Sequence, residues 1–173
     1  MKFVPINKNI MTQQNVMIEQ NSSSKRLANK TALVTGGSRG IGRAIAEQLA
    51  KDGALVAITY NSSKSGADDV VTHIEKLGGK AFALHADLVD ANTIPQFFER
   101  LDSELTARTG STTLNILVNN AGNSGWGNLS DATSESWDTM FSVHAKAPFF
   151  MVQSAISRFE NGSRIINISS GLA

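Results

Sequence analysis

From residue 30 onward the apolar positions follow two alternating patterns. Short continuous runs at residues 32–34, 55–59, 81–85, 114–118 and 165–168 suit strands buried on both faces. Between them, apolar residues recur at helical spacing. Ile41, Ala44, Ile45 and Leu49 mark a first helix, and Ala67, Val70, Val71, Ile74 and Leu77 a second. Ile94, Phe97, Phe98, Leu101 and Leu105 mark a third, and residues 134–158 predict a longer one. Gly53 and the Gly78-Gly79 pair stop the first two. Strand–helix alternation with apolar strands predicts an α/β fold: a doubly wound parallel sheet, covered on both faces, in the order 3-2-1-4-5. No segment repeats another.

Residues 1–24 break this pattern. They are rich in Asn, Gln and Ser and show no period, which predicts a flexible extension over residues 1–26 and a folded domain over 27–173. With Met11 and Met17 inside that extension, an internal start is an open alternative to Met1. Lys25, Arg26 and Lys30 read as a solvated entry to the first strand. The chain has 173 residues, enough for one domain with a real core. Its net charge of +1 gives no reason to expect a nucleic-acid or membrane surface. With no cysteine there are no disulfides and no thiolate metal sites. No apolar run reaches membrane-span length and no secretory signal is visible, so a cytoplasmic protein is expected. His73 and His85 lack metal-ligand spacing and read as structural; Trp126 and Trp137 read as packing residues.

Chemistry enters at residues 35–42, TGGSRGIG, between the first strand and the first helix. A strand turning sharply into a helix leaves backbone N–H groups unpaired at the helix start, and with the helix dipole they suit a pyrophosphate. Glycines there let a phosphate approach the backbone and let helix pack on strand. An acid that would bind ribose hydroxyls is missing from the end of the second strand, which reads Tyr60-Asn61-Ser62-Ser63-Lys64. An acid repels a 2′-phosphate, whereas these residues do not.

The spacing T-G-x-x-x-G-x-G resembles the short-chain dehydrogenase/reductase family, in its 3-oxoacyl-ACP-reductase-like branch. Asn119-Asn120-Ala121-Gly122 and the RIINISS segment at residues 164–170 resemble its later motifs, in the family's order. The resemblance implies a Rossmann-like domain, here without the family's last strands, that binds NADP in preference to NAD. It implies cofactor contacts at Thr35, Gly36, Ser38, Arg39, Gly40, Ile41 and Gly42, and at Tyr60, Asn61 and Ser62 near the 2′-phosphate. Asp87 and Leu88 would meet the adenine, although a turn or helix-cap role for Asp87 is the competing reading. Asn119, Ala121 and Gly122 would border the adenosine ribose.

In this family a hydride moves between the nicotinamide and a carbonyl carbon. The resemblance assigns Ser170 to the serine that hydrogen-bonds the substrate oxygen, with Ser169 the second choice. His144 falls where the family has an asparagine. Pro148 has no N–H, so the carbonyl of His144 loses its usual helical partner and is free to bind a water. The family's Tyr-x-x-x-Lys segment would follow residue 173, so the chain reads as C-terminally truncated. The sole tyrosine, Tyr60, belongs to the adenosine end. Two readings stand: an NADP-dependent carbonyl reductase or alcohol dehydrogenase acting on a small molecule, with full-length relatives that form homo-oligomers, or an inert nucleotide-binding fragment or decayed gene product.

Overall fold

The computed structural model describes residues 25–123 and 128–169. Five strands form one parallel sheet: β1 (Thr31–Val34), β2 (Leu55–Tyr60), β3 (Lys80–His85), β4 (Ile116–Asn119) and β5 (Arg164–Asn167). Their order is β3-β2-β1-β4-β5, as the alternation predicts. The helices are α1 (Gly40–Lys51), α2 (Lys64–Lys76), α3 (Ile94–Thr109), α4 (Ser134–Phe141) and α5 (Ala147–Ala155).

Because successive strand residues point to opposite faces, β1 feeds two cores. Leu33 packs with Phe97, Phe98 and Leu101 of α3 and Met151 of α5. Ala32 and Val34 pack on the other face with Ala46 and Ala50 of α1 and Val70 and Ile74 of α2. Each large side chain fully buried in these layers contributes about 1.5–3 kcal/mol. The described chain enters through a turn tied to the end of α1: the Leu27 N–H donates to the Asp52 carbonyl, and Arg26 pairs with the Asp52 carboxylate at 2.7 Å.

Three details differ from the periodicity. β4 starts at Ile116, because the Leu114 N–H turns away to the Arg158 carbonyl and the Asn115 side chain accepts from the Thr31 N–H. β5 ends at Asn167, though the Ile168 N–H still donates to the Asn119 carbonyl. The helix over 134–158 is not uniform. Residues Ser142–Lys146 form a π turn in which the Ala147 N–H reaches back to the Ser142 carbonyl, and a 3-10 turn, Ile156–Arg158, ends the run. Pro148, which cannot donate, follows that widened turn. Arg158 then locks the end of this run to α3 through a two-pronged pair with Asp102, at 2.6 and 2.5 Å.

Ile165 and Ile166 of β5 are each 44% exposed, and Phe149 of α5 is 64% exposed. His73 lies 3.8 Å from Glu47, His85 meets the Tyr60 ring edge-on, and Trp137 stacks on Phe141. Trp126 and the 1–24 extension lie outside the described residues. Among the described residues no helix is long and apolar enough to cross a membrane, and no cluster of His, Asp and Glu has metal-holding geometry.

Candidate functional site

The site is built where β1 and β4 end side by side. Thr35, 2% exposed, follows β1, and its hydroxyl accepts from the backbone N–H groups of Asn120 at 2.9 Å and Ala121 at 3.0 Å. Asn120 answers through its side-chain amide, which donates to the carbonyls of Thr35 and Gly36. These bonds lace the glycine turn to the loop after β4. Thr59 adds a third tie, accepting from the Gly36 N–H at 3.0 Å. Glycine is required at two points of this weave. Gly36 has φ +65°, and a Cβ there would lie 2.9 Å from the Ala121 Cα. At Gly42 a Cβ would lie 2.4 Å from both the Asn120 amide nitrogen and the Gly36 carbonyl oxygen.

Above this weave is a cleft of about 360 Å³ at the carboxyl ends of the strands, the side on which open α/β sheets bind ligands. The turn after β1 lines it with Gly36, Ser38, Arg39, Ile41 and Gly42. Tyr60, Asn61 and Ser62 line it from the end of β2, Leu88 from beyond β3, and Ala121 and Gly122 from beyond β4. A larger cavity, about 1000 Å³, lies at the opposite end of the sheet among Lys25, Lys30 and Lys80 and holds none of the predicted site residues.

Four predicted cofactor residues lie off the lining. Thr35 sits beneath it as a tie, and Gly40 opens α1 at φ +56°. Asp87 folds its carboxylate back onto the Val89 N–H at 3.0 Å, the turn geometry of the competing reading. Asn119, 7% exposed, donates its side-chain amide to the Asn167 side-chain oxygen at 2.8 Å. Conversely, Ala86, Val89, Asn123 and Val143 line the cleft without any sequence signal, since only the folding of their loops brings them there.

The charges around the cleft are divided unevenly. Arg43 pairs with Glu47, and Lys64 with Asp68, both at 2.7 Å. The hydrogen bond to Asp68, reinforced by that carboxylate's charge, raises the Lys64 ammonium above its ordinary value. Arg39, at the start of α1, is exposed and makes no ion pair with any described residue. Among the described residues no side chain caps the α1 N-terminus, so its first N–H groups are available to an anion.

Across Ala121 lies a second groove, of about 710 Å³, lined by Asn119, His144, Pro148, Phe149, Asn167 and Ser169 among others. The His144 ring is committed to the loop after β4. Its Nε2 lies 3.0 Å from the Asn123 carbonyl, 3.1 Å from the Asn123 side-chain oxygen and 3.3 Å from the Asn123 N–H. It also abuts Gly122, where a Cβ would come within 2.8 Å of the ring. Ser170 lies outside the described residues. Tyr60 lines the first cleft and not this groove.

Comparison with known proteins identifies the family to which this fold belongs. The model of the family described as short chain dehydrogenase matches residues 30–173. A hydroxynaphthalene reductase-like protein of Metarhizium guizhouense is 37% identical over 154 residues, 89% of this chain and 55% of that protein. Elsinochrome reductase 1 of Elsinoe fawcettii is 40% identical over 148 residues, 86% of this chain and 53% of that protein. The chain thus spans about half the length of these curated relatives. Among solved structures, the lugdunomycin keto-reductase LugOII is 52% identical with a TM-score of 0.83, over 86% of this chain and 62% of that one. The angucycline ketoreductase LanV, solved with bound NADP, is 52% identical with a TM-score of 0.82, over 85% and 57%. From Lys30 to its last residue, this chain belongs to the short-chain dehydrogenase family.

Proposed function

We propose that these residues form the cofactor half of an NADPH-dependent carbonyl reductase. One observation carries the reading: the acid-free end of β2 and Arg39, which pairs with no described residue, line the same cleft as the glycine turn. The residues fit the cofactor. An uncapped helix start suits the pyrophosphate. Side-chain-free Gly36 and Gly42 let the turn, the start of α1 and the loop after β4 close tightly beneath the cleft. Arg39, Asn61 and Ser62 offer a cation and polar groups to a 2′-phosphate. When bound, the cofactor supplies a hydride to a carbonyl carbon. Ser170 is proposed to donate a hydrogen bond to the carbonyl oxygen, and the loop held by His144 to border the reacting end.

The substrate class is proposed from the relatives. They are named for hydroxynaphthalene, elsinochrome and angucycline chemistry, which points to a ketone on a fused-ring skeleton. The Phe149, Val152 and Ile168 side chains of the second groove offer such a skeleton apolar surface.

A second reading, nucleotide binding without turnover by these 173 residues, is favoured by the placement of Tyr60. The sole tyrosine lies at the β2 end of the cleft and not in the groove with His144 and Ser169. Fluorescence titration with NADPH and NADH tests the shared part of the two readings: NADPH is expected to bind tighter, and equal or tighter NADH binding contradicts both. NADPH oxidation with a fused-ring ketone then separates them.

A further inference from the structure

Asn161-Gly162 is the one Asn-Gly step in the chain, and the fold presents it in the open. Both residues are exposed, at the centre of a turn closed by the Ser163 N–H donating to the Glu160 carbonyl at 3.0 Å. Gly162 has φ +91°, as a central turn glycine often does, and a Cβ there would meet nothing within 4 Å. Neither the Asn161 carboxamide nor the Gly162 N–H is hydrogen-bonded to any described residue. A carboxamide carbon therefore lies one residue from a free backbone nitrogen with no side chain to hinder its approach.

We propose that Asn161 is a site of spontaneous deamidation. The Gly162 nitrogen gives up its proton to solvent base and attacks the Asn161 Cγ. A nitrogen–carbon bond forms, the carboxamide C–N bond breaks, and ammonia leaves with a proton from solvent. The product is a five-membered succinimide. Water then opens it at either carbonyl, giving aspartate or isoaspartate. No electrons are exchanged and the only co-reactant is water. Either product carries one new negative charge, and isoaspartate lengthens the main chain by one methylene.

The other asparagines near the sheet are held differently. Asn115 accepts from the Thr31 N–H and is followed by β-branched Ile116. Asn119 and Asn120 spend their amides on Asn167 and on the carbonyls of Thr35 and Gly36. Cyclisation at any of these first requires breaking a hydrogen bond between strands or loops of the fold.

The turn also sets the start of β5. Arg164 donates to the Gly162 carbonyl at 2.7 Å and to the Ser163 carbonyl at 3.1 Å, while its own N–H donates to the Asn115 carbonyl. An added methylene between residues 161 and 162 falls inside the ring closed by the Ser163–Glu160 bond and strains that turn immediately before Arg164. β5 pairs with β4 alone among the described strands, so the change loosens the strand that carries Asn167 to the site.

The test is to age the intact chain in mildly alkaline buffer beside a synthetic peptide of residues 158–165, with peptide mapping by mass spectrometry. The expected result is a gain of one mass unit at Asn161 before any other described asparagine, at a rate within about tenfold of the free peptide, as an open turn permits. Two products should separate, one of them a substrate for isoaspartyl methylation. Protection beyond tenfold, or earlier conversion of another described asparagine, overturns the proposal. Hydrogen exchange provides the second readout. Ageing should speed exchange at the Ile165 and Ile166 amides in the unsubstituted chain and not in Asn161→Gln; equal ageing effects in both overturn the link to β5.

Discussion

Replacing Thr35 by valine tests the weave under the cleft. Valine nearly matches threonine in shape, so the substitution removes one hydroxyl and little volume. That hydroxyl accepts from two backbone N–H groups, those of Asn120 and Ala121. A buried donor left without a partner costs about 1–3 kcal/mol. Both donors belong to half-buried residues, so water partly replaces the lost acceptor and the lower part of that range applies to each. The expected loss is about 2 kcal/mol in total. With a urea slope of about 1–3 kcal/mol/M, the unfolding midpoint should fall by about 1 M. Thr35→Ser keeps the acceptor and should lose less than half as much. NADPH affinity should fall with Thr35→Val as well, because Ala121 and Gly122 form one wall of the cleft. A Thr35→Val midpoint equal to that of the unsubstituted chain, or a serine variant as damaged as the valine one, would refute the reasoning.

Three other outcomes follow from the packing. Gly42→Ala must push aside Asn120 or Gly36; it should cost about 1–3 kcal/mol in a denaturation experiment and abolish NADPH fluorescence enhancement. Asp102→Asn breaks a partly shielded pair whose side chains are 17% and 27% exposed; discounted for that exposure, the loss should be about 1–2 kcal/mol, read as a lower thermal midpoint. Ile166→Lys places a charge on the exposed face of β5 and should shift self-associated chain toward monomer in size-exclusion chromatography, since charged edge residues block strand pairing.

The strand order and helix positions were legible because buried parallel strands and amphipathic helices leave opposite periodicities, as at Leu33 against Phe97 and Phe98. The gathering of Ser38, Arg39, Tyr60, Asn61 and Ala121 around one cleft was legible for a related reason: strand ends in this topology converge. What stayed hidden depends on partners far apart in the chain. Nothing local marks the Thr35 hydroxyl as the acceptor for a loop 85 residues on, or Asn123 as the partner of the His144 ring. Pro148 pointed to a disturbed helix near His144, but the π turn that resolves it is a choice among several ways to rebond the backbone. Asp87 shows the limit most plainly, because a short acid after a strand suits a ligand and its own turn equally well, and in the fold its carboxylate bonds the Val89 N–H.

The central claim is that Arg39 and the acid-free end of β2 read a 2′-phosphate. Isothermal titration with the adenosine fragment of NADP, and with the same fragment lacking the 2′-phosphate, tests it most directly. A charge-assisted bond to Arg39 is worth about 1.5–3 kcal/mol, so the phosphorylated fragment should bind at least about tenfold tighter, and Arg39→Ala should erase most of that difference while leaving the other fragment unchanged. Equal affinity for the two fragments, or a preference untouched by Arg39→Ala, would contradict the account.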